Sequence, residues 1–367
     1  MSKAAELAAL IGSQSSLANR NLFINGDMAV AQKSTSKASI SDQTSGYYIG
    51  FPDRWAGWTN DIGTYTQSQE TDAPAGFIKS LKLLMTTAND SLEAADYGVI
   101  TQRIEGLNLQ HLQWGTATAK PLTLSFWVKG GTTGTYICEF LRDESTDRSI
   151  SASYTIDAQA TWEKKTITIA GDTTTAITND SANRLAILWG FGLGSNFTSG
   201  TLSTSWADRT TANTFVGQTN ITGGTSASVN YIQLAGVQME VGEVATSFEH
   251  ESYSDNLRKC QRYWQQSYAA GTVAETATDV GQVIRFMDAT QSYGGHWISF
   301  REDMRAAPTG KVYNTSTGSV NSIRDDNGNH TATVGQAAFH GMHCYVNNSS
   351  VGASESLRVQ YTADAEL

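Results

Sequence analysis

Of the six histidines in this sequence only His340 and His343 come close together, with Cys344 beside them in the run HGMHC. Read as a strand, the run puts His340 and Cys344 on one face and His343 on the other, a poor geometry for a single tetrahedral ion. Carboxylates are the second chemistry to test, because glycoside hydrolysis needs two of them about 5 to 10 Å apart across a cleft. Glu105, Glu139, Asp143 and Glu144 have the right groups, yet nothing in their spacing sets two of them face to face. A nucleophile elbow GxSxG, an HExxH helix, a P-loop and a GxGxxG turn are all missing from the sequence. The expectation is therefore a protein that is not an enzyme and needs no cofactor.

The elements that would position these residues are mostly strands. In LTLSFWVKG, Leu122, Leu124, Phe126 and Val128 alternate with Thr123, Ser125, Trp127 and Lys129, the period of a half-buried strand. Trp127 shares the polar face, so it either lies beneath another element or is offered to a partner. Similar alternation predicts strands at Asn21–Ala29, Gly63–Gln67, Ser80–Thr86, Tyr97–Ile104, Tyr136–Arg142, Ile150–Ile156, Glu163–Ala170, Leu185–Leu193 and Val229–Glu240. With no amphipathic helices between them, residues 18–250 are expected to form two packed antiparallel sheets closed as a jelly-roll β-sandwich. The polar stretch Gly200–Ser228 then reads as a long loop, whose Trp206 needs cover.

Flanking segments have other periods. Ala4, Leu7, Ala8 and Ile11 share one face of a short helix that Gly12 would stop, within an N-terminal arm of residues 1–17. A clearer helix, Tyr253 to about Gln266, places Tyr253, Leu257, Cys260 and Trp264 on one face. Ser252 and Asp255 make an approximate capping box at its start. Residues 251–267 thus form a connecting helix ahead of a smaller C-terminal β domain, 268–367. There the candidate strands are Thr272–Ala277, Val280–Met287, Trp297–Ser299, Lys311–Asn314, Gln336–Tyr345 and Ser356–Ala363, with a turn at Asp325–Gly328.

Composition excludes several partners. Charged residues are 16% of the 367, against roughly 25% in an average soluble protein. Lys plus Arg is 25 against Asp plus Glu 35, a net charge of −10 with no basic block, which argues against nucleic acid and an anionic membrane surface. No apolar run approaches the roughly 18 residues needed to span a bilayer. Cys138, Cys260 and Cys344 are far apart and odd in number, so free thiols are expected.

Several pieces, taken in order along the chain, resemble a family of bacteriophage tail-fibre and minor virion structural proteins. They are NLFINGDMAVAQ, FPDRW at Phe51–Trp55, QRIEG followed by LTLSFWVKG, YIQLAGVQMEVG, TSFEHESYSDNLRKCQRYW and the ending YTADAEL. NGDM, LTLSFWVKG and QMEVG are also similar to carbohydrate-binding modules built as β-sandwiches. The resemblance implies a homotrimeric virion appendage, made in the host cytoplasm, that touches bacterial surface polysaccharide. It implies attachment to other tail or adaptor proteins through the arm carrying Ala4, Leu7, Ala8 and Ile11. It further implies that the Tyr253, Leu257, Cys260 and Trp264 face is a subunit interface.

Sugar binding would rest on aromatic rings, since an indole stacks on the C–H face of a pyranose while polar neighbours bond its hydroxyls. Trp127, Trp58 and Trp206 are the candidates: Trp127 by its polar face, Trp58 by the Thr59, Asn60 and Asp61 that follow it, Trp206 by its polar loop. Trp189, with apolar neighbours on both sides, is expected in the core. The modules' structural calcium would correspond to Asp27 here, although Met28-Ala29 replaces the acidic residue usual just after it. A structural virion subunit that binds no glycan, and a free carbohydrate-active enzyme module, are the competing readings.

Overall fold

The computed structural model describes residues 19–41, 48–223, 229–287, 291–292, 295–346, 350–351 and 355–367. Its first block holds β1 (Ser36–Ile40), β2 (Tyr48–Ile49), β3 (Ala56–Asn60), β4 (Thr64–Glu70), β5 (Ser80–Thr87), β6 (Tyr97–Glu105), β7 (Leu122–Gly130), β8 (Gly134–Arg142), β9 (Arg148–Ile156), β10 (Glu163–Ile169), β11 (Asn183–Leu193), β12 (Ala207–Asp208) and β13 (Tyr231–Val241). They form a β-sandwich, with β1-β4-β5-β13-β7-β10 as one sheet and β12-β9-β8-β11-β6-β3-β2 as the other. The predicted jelly-roll class is what the strand pairing shows: every pair is antiparallel, and neighbours distant in sequence meet in both sheets.

The core lies between the inner faces. Leu122, Leu124, Phe126 and Val128 of β7 are completely buried there, facing Tyr136, Cys138 and Phe140 of β8 and Trp189 and Phe191 of β11. Trp55 and Trp189 meet in that core at a ring distance of 5.7 Å. β11 is apolar on both faces because its outer face is covered as well. Leu188 and Ala186 pack outward with Tyr97, Val99 and Phe215, and Phe197 and Leu202 of the following loop pack against them. The long loop is thus a second cover layer over the seven-stranded sheet.

The second block contains β14 (Trp264–Gln266), β15 (Val283–Phe286), β16 (Gln291–Ser292), β17 (Gly295–Ser299), β18 (Thr309–Tyr313), β19 (Ser322–Arg324), β20 (Asn329–Ala338), β21 (Gly341–Val346), β22 (Ser350–Val351) and β23 (Ser356–Asp364). β23 is its hub, pairing with β14, β15, β18 and β19. A separate core of Val312, Ile323, Met342, Cys344, Leu357, Val359 and Tyr361 holds it together.

Four expectations need correction. Residues 21–29 are not a strand: Asn25 and Met28 adopt φ of 59° and 61°, which breaks a ladder, and the Asn25 amide ties the resulting turn to Val30. Residues 272–277 form turns, with Gly271 and Glu275 at φ of 81° and 72°. Gln336–Tyr345 is not one strand but the hairpin of β20 and β21, turning at Phe339 and His340. Finally, the helix spans Tyr253–Gln261 and stops short of Trp264, which enters β14 and pairs with Asp364. Its start is as expected, since the Ser252 hydroxyl accepts the Asp255 amide at 3.2 Å.

That shorter helix feeds a polar joint between the two blocks. The Arg54 guanidinium lies 3.5 Å from the Tyr263 ring centre and pairs with Glu366, while donating to the Arg103 carbonyl at 2.9 Å. Glu105, fully buried, accepts from Arg262 at 3.0 and 2.8 Å and from the Tyr263 hydroxyl. Gln32 and the β14 segment exchange bonds of 3.1 and 2.8 Å. These contacts explain why Cys260 is buried: it faces its own chain, so it is closed to another subunit. Tyr253 is exposed and Leu257 half-buried, and the Trp264 ring is covered by Lys33 at 4.5 Å. Ala4, Leu7, Ala8 and Ile11 lie outside the described residues.

Candidate functional site

The outer face of the six-stranded sheet is built by the polar half of the alternation that fills the core. Over β13 it is roofed. Gly236 takes a φ of 55° at a bulge and leaves room for the Phe77 ring, which packs against Phe248 at 5.0 Å. Gln238 and Gln233 are buried beneath this roof, bonded to Ser247 and Ser80. The cover continues over Thr123 and Ser125 of β7, which are buried, and gives way at Trp127 and along β10, where a more open corner remains.

Trp127 occupies that corner, half-buried, with Ala235 opposite it on β13 and Lys164 opposite it on β10. Among the described residues no hydrogen bond reaches its indole N–H, which is not buried either. One pleat further on, Lys129 binds Asp72 at 2.7 Å, and the Trp162 indole donates to the same carboxylate at 3.2 Å. The Lys129 ammonium lies 6.0 Å from the Trp162 ring centre. The hydrogen bond from Lys129 outweighs the opposing cost of burial and holds the Asp72 carboxyl below its ordinary range, with Trp162 adding to the effect. The corner therefore offers two indoles, one free N–H donor, two ammonium groups and a carboxylate. Such a set can stack on a sugar ring and bond its hydroxyls.

Trp162 did not emerge from the sequence because the predicted strand begins one residue after it. Extending the alternation of Lys164, Thr166 and Thr168 backwards by one step would have put it on the same outward face.

The other tryptophans lie elsewhere, and the structure does not bring the three together. Trp58 is on the covered side of the opposite sheet, edge-on to Tyr97 at 4.9 Å. Trp206 packs on Trp114 at 5.1 Å and donates to the Ala170 carbonyl at 2.7 Å, beside a cavity of about 350 Å³. That cavity borders buried Asp172, which Arg142 and Arg148 hold at 2.5 and 2.9 Å. Burial pushes the Asp172 carboxyl up, but its bonds to Arg148, the Thr174 amide and Arg142 win and keep it below the usual range.

The carboxylates considered for hydrolysis are engaged in the fold. Glu139 is fully buried and bidentate with Arg209 at 2.6 and 3.0 Å, and Glu144 holds Thr178 at 3.1 and 2.8 Å. Asp143 accepts from Asn183 at 3.0 Å, and Glu105 belongs to the joint. In HGMHC, Cys344 points into the core, His343 outward, and His340 sits in the hairpin turn. Among the described residues no group of three or more His, Cys, Asp or Glu could hold a metal ion. Asp27 accepts the Asn256 amide at 2.9 Å and the Ala29 N–H at 3.3 Å, and the Asn25 side-chain oxygen accepts the Val30 N–H at 2.9 Å. Both donors to Asp27 reach the same oxygen, Oδ1, and among the described residues Asp27 belongs to no cluster of three His, Cys, Asp or Glu side chains able to supply calcium with its about six to eight oxygen ligands.

No protein-family model matches the chain, and neither does any curated protein. Solved structures similar to it include the enzymatically active domain of tailspike protein 4 of bacteriophage CBA120, at 15% identity over 60% of this chain and 21% of that one, with a TM-score of 0.31. The chain therefore spans about a fifth of that structure. A family 22 carbohydrate-binding module of Clostridium thermocellum Xyn10B is similar at 10% identity, covering 56% of this chain and 99% of the module, with a TM-score of 0.30. The family 11 module of Lic26A-Cel5E from the same organism is similar at 10% identity over 57% and 97%, with a TM-score of 0.29.

Proposed function

We propose that this chain is a non-enzymatic bacteriophage virion appendage, a tail-fibre protein, whose sandwich adheres to host surface polysaccharide through the Trp127 corner. The observation that carries the binding reading is the half-exposed Trp127 indole, its N–H unengaged, set between Lys164 and the Lys129–Asp72–Trp162 cluster. Pyranose stacking would use the exposed part of this indole together with its N–H. Trimers joined through Tyr253 and Leu257, anchored by residues 1–17, would present several corners at once. Weak sites combined in this way gain roughly 10²- to 10⁴-fold in avidity.

One observation favours a purely structural subunit instead. The motifs that carry the resemblance, FPDRW, QRIEG, CQRYW and YTADAEL, meet in the joint through Arg54, Glu105, Tyr263 and Glu366 and not on the surface. The deciding experiment stains host cells with purified native protein and with Trp127→Ala. The adhesion reading expects staining that Trp127→Ala weakens about tenfold, the worth of one lost aromatic contact and its hydrogen bond. Stable trimers that leave cells unstained would establish the structural subunit.

A further inference from the structure

The second block carries another row of aromatic rings, remote in sequence from Trp127. In β21, Met342, Cys344 and Val346 are completely buried in the core, so Gly341, His343 and Tyr345 point to the outer face. Trp297 of β17 lies opposite His343, and Gln336 of β20 flanks His343 on its other side. Trp297 is 38% exposed, and Phe339 in the adjoining turn is 53% exposed.

Three glycines make these rings lie down. A methyl group added at Gly341 would stand 2.7 Å from the Trp297 indole, one at Gly295 2.5 Å from the His343 ring, and one at Gly335 2.6 Å from the Tyr345 ring. Each ring therefore occupies the space above a glycine and turns its flat side outward. His343 and Tyr345 are nearly parallel, 5.7 Å apart at 28°, and His340 continues the row 5.6 Å from Trp297. Along β21 from Gly341 to Tyr345 the strand covers four steps of extended chain, about 13 Å, the reach of a short oligosaccharide. Protein cores do not need rings spread in this manner.

We infer that this row is a second saccharide-binding surface that takes a neutral chain of pyranose rings along β21. The aromatic faces stack on the sugar C–H faces, while Gln336, His343 and the Tyr345 hydroxyl bond hydroxyl groups at the margins. Among the described residues the row itself carries no lysine, arginine or carboxylate, and the Arg285 guanidinium reaches it only at the Gly295 carbonyl beneath His343, unlike the Trp127 corner with its two lysines, so an uncharged glycan fits it better than an acidic one.

The test probes an array of neutral hexose and pentose oligosaccharides with full-length native protein and four variants. They are Trp127→Ala, Trp297→Ala with Tyr345→Ala, Gly335→Ala, and the first two combined. Native protein is expected to bind neutral oligosaccharides, and the Trp297/Tyr345 double variant to lose at least about tenfold in apparent affinity. Trp127→Ala tells the two surfaces apart: neutral-glycan binding that falls with Trp127→Ala but not with the Trp297/Tyr345 double variant belongs to the sandwich corner and overturns the inference. Gly335→Ala guards against misfolding, because the three atoms nearest its methyl all belong to the Tyr345 ring. It should lower affinity severalfold with an unchanged melting curve. Native protein that binds no neutral glycan overturns the inference. So does a folded double variant that binds as well as native protein, or one whose only change is its oligomeric state.

Discussion

A tryptophan offers a ligand its ring face and one N–H, and the fold decides which of these is already spent. Trp55 gives its N–H to the Asn25 carbonyl at 3.0 Å inside the core, and Trp206 gives its own to Ala170 while its ring leans on Trp114. Trp127, half-buried, gives its N–H to no partner among the described residues. Replacing Trp206 by Ala should therefore leave glycan binding intact and lower stability by about 2 kcal/mol, through lost packing plus an unpaired carbonyl. Chemical denaturation beside the binding assay checks this, and reduced affinity in a fully folded Trp206→Ala protein would return that residue to the binding surface. At this scale the sequence was a partial guide. Alternation marks which face Trp127 is on, but the roof of Phe77 and Phe248 that makes its corner the open part of the sheet is assembled from segments far apart in sequence.

Strands whose polar and apolar residues alternate announced themselves, and β5, β7, β10 and β13 lie within a few residues of their predicted limits, although β13 is buried on both faces. The failures have particular causes. Residues 21–29 look like a strand, but their apolar side chains Phe23 and Met28 reach the core from a turn set by Asn25. The β20–β21 hairpin was read as one strand since its turn, Phe339-His340, lacks the usual glycine or asparagine and follows Ala337-Ala338 without a break in polarity. The helix was overextended because Trp264 fits a helical period by spacing alone, while pairing with β23 claims it for a sheet. What the sequence did mark at this scale is the cap. Ser252→Ala removes the acceptor for the Asp255 amide and should cost about 1 kcal/mol, seen as a lower denaturation midpoint with unchanged slope. If stability is unaffected, the helix is held by the joint alone and its cap is dispensable.

At the scale of the molecule the joint decides whether two β blocks act as one body. Arg54 and Glu366 are both nearly inaccessible, and Glu366 also approaches Lys33 at 3.4 Å. Burial pushes the Glu366 carboxyl up, but the charges of Arg54 and Lys33 outweigh it, so its folded pKa lies below the ordinary 4.5. A carboxylate depressed in this way contributes stability that is fully present above its unfolded pKa and is lost as pH falls through the folded value. Glu366→Gln removes that linkage but leaves Arg54 buried without its counter-ion, a loss of about 3 to 5 kcal/mol at neutral pH. Native protein should accordingly be much more stable than Glu366→Gln at pH 7, with the gap closing as pH falls below 4.5. Thermal unfolding of both proteins from pH 7 down to pH 3 reads this directly. Since the same pair ties the C-terminal strand to the sandwich, native protein should melt in one transition at neutral pH and the variant in two. A gap that stays constant with pH would mean the Glu366 charge contributes nothing to holding the blocks together.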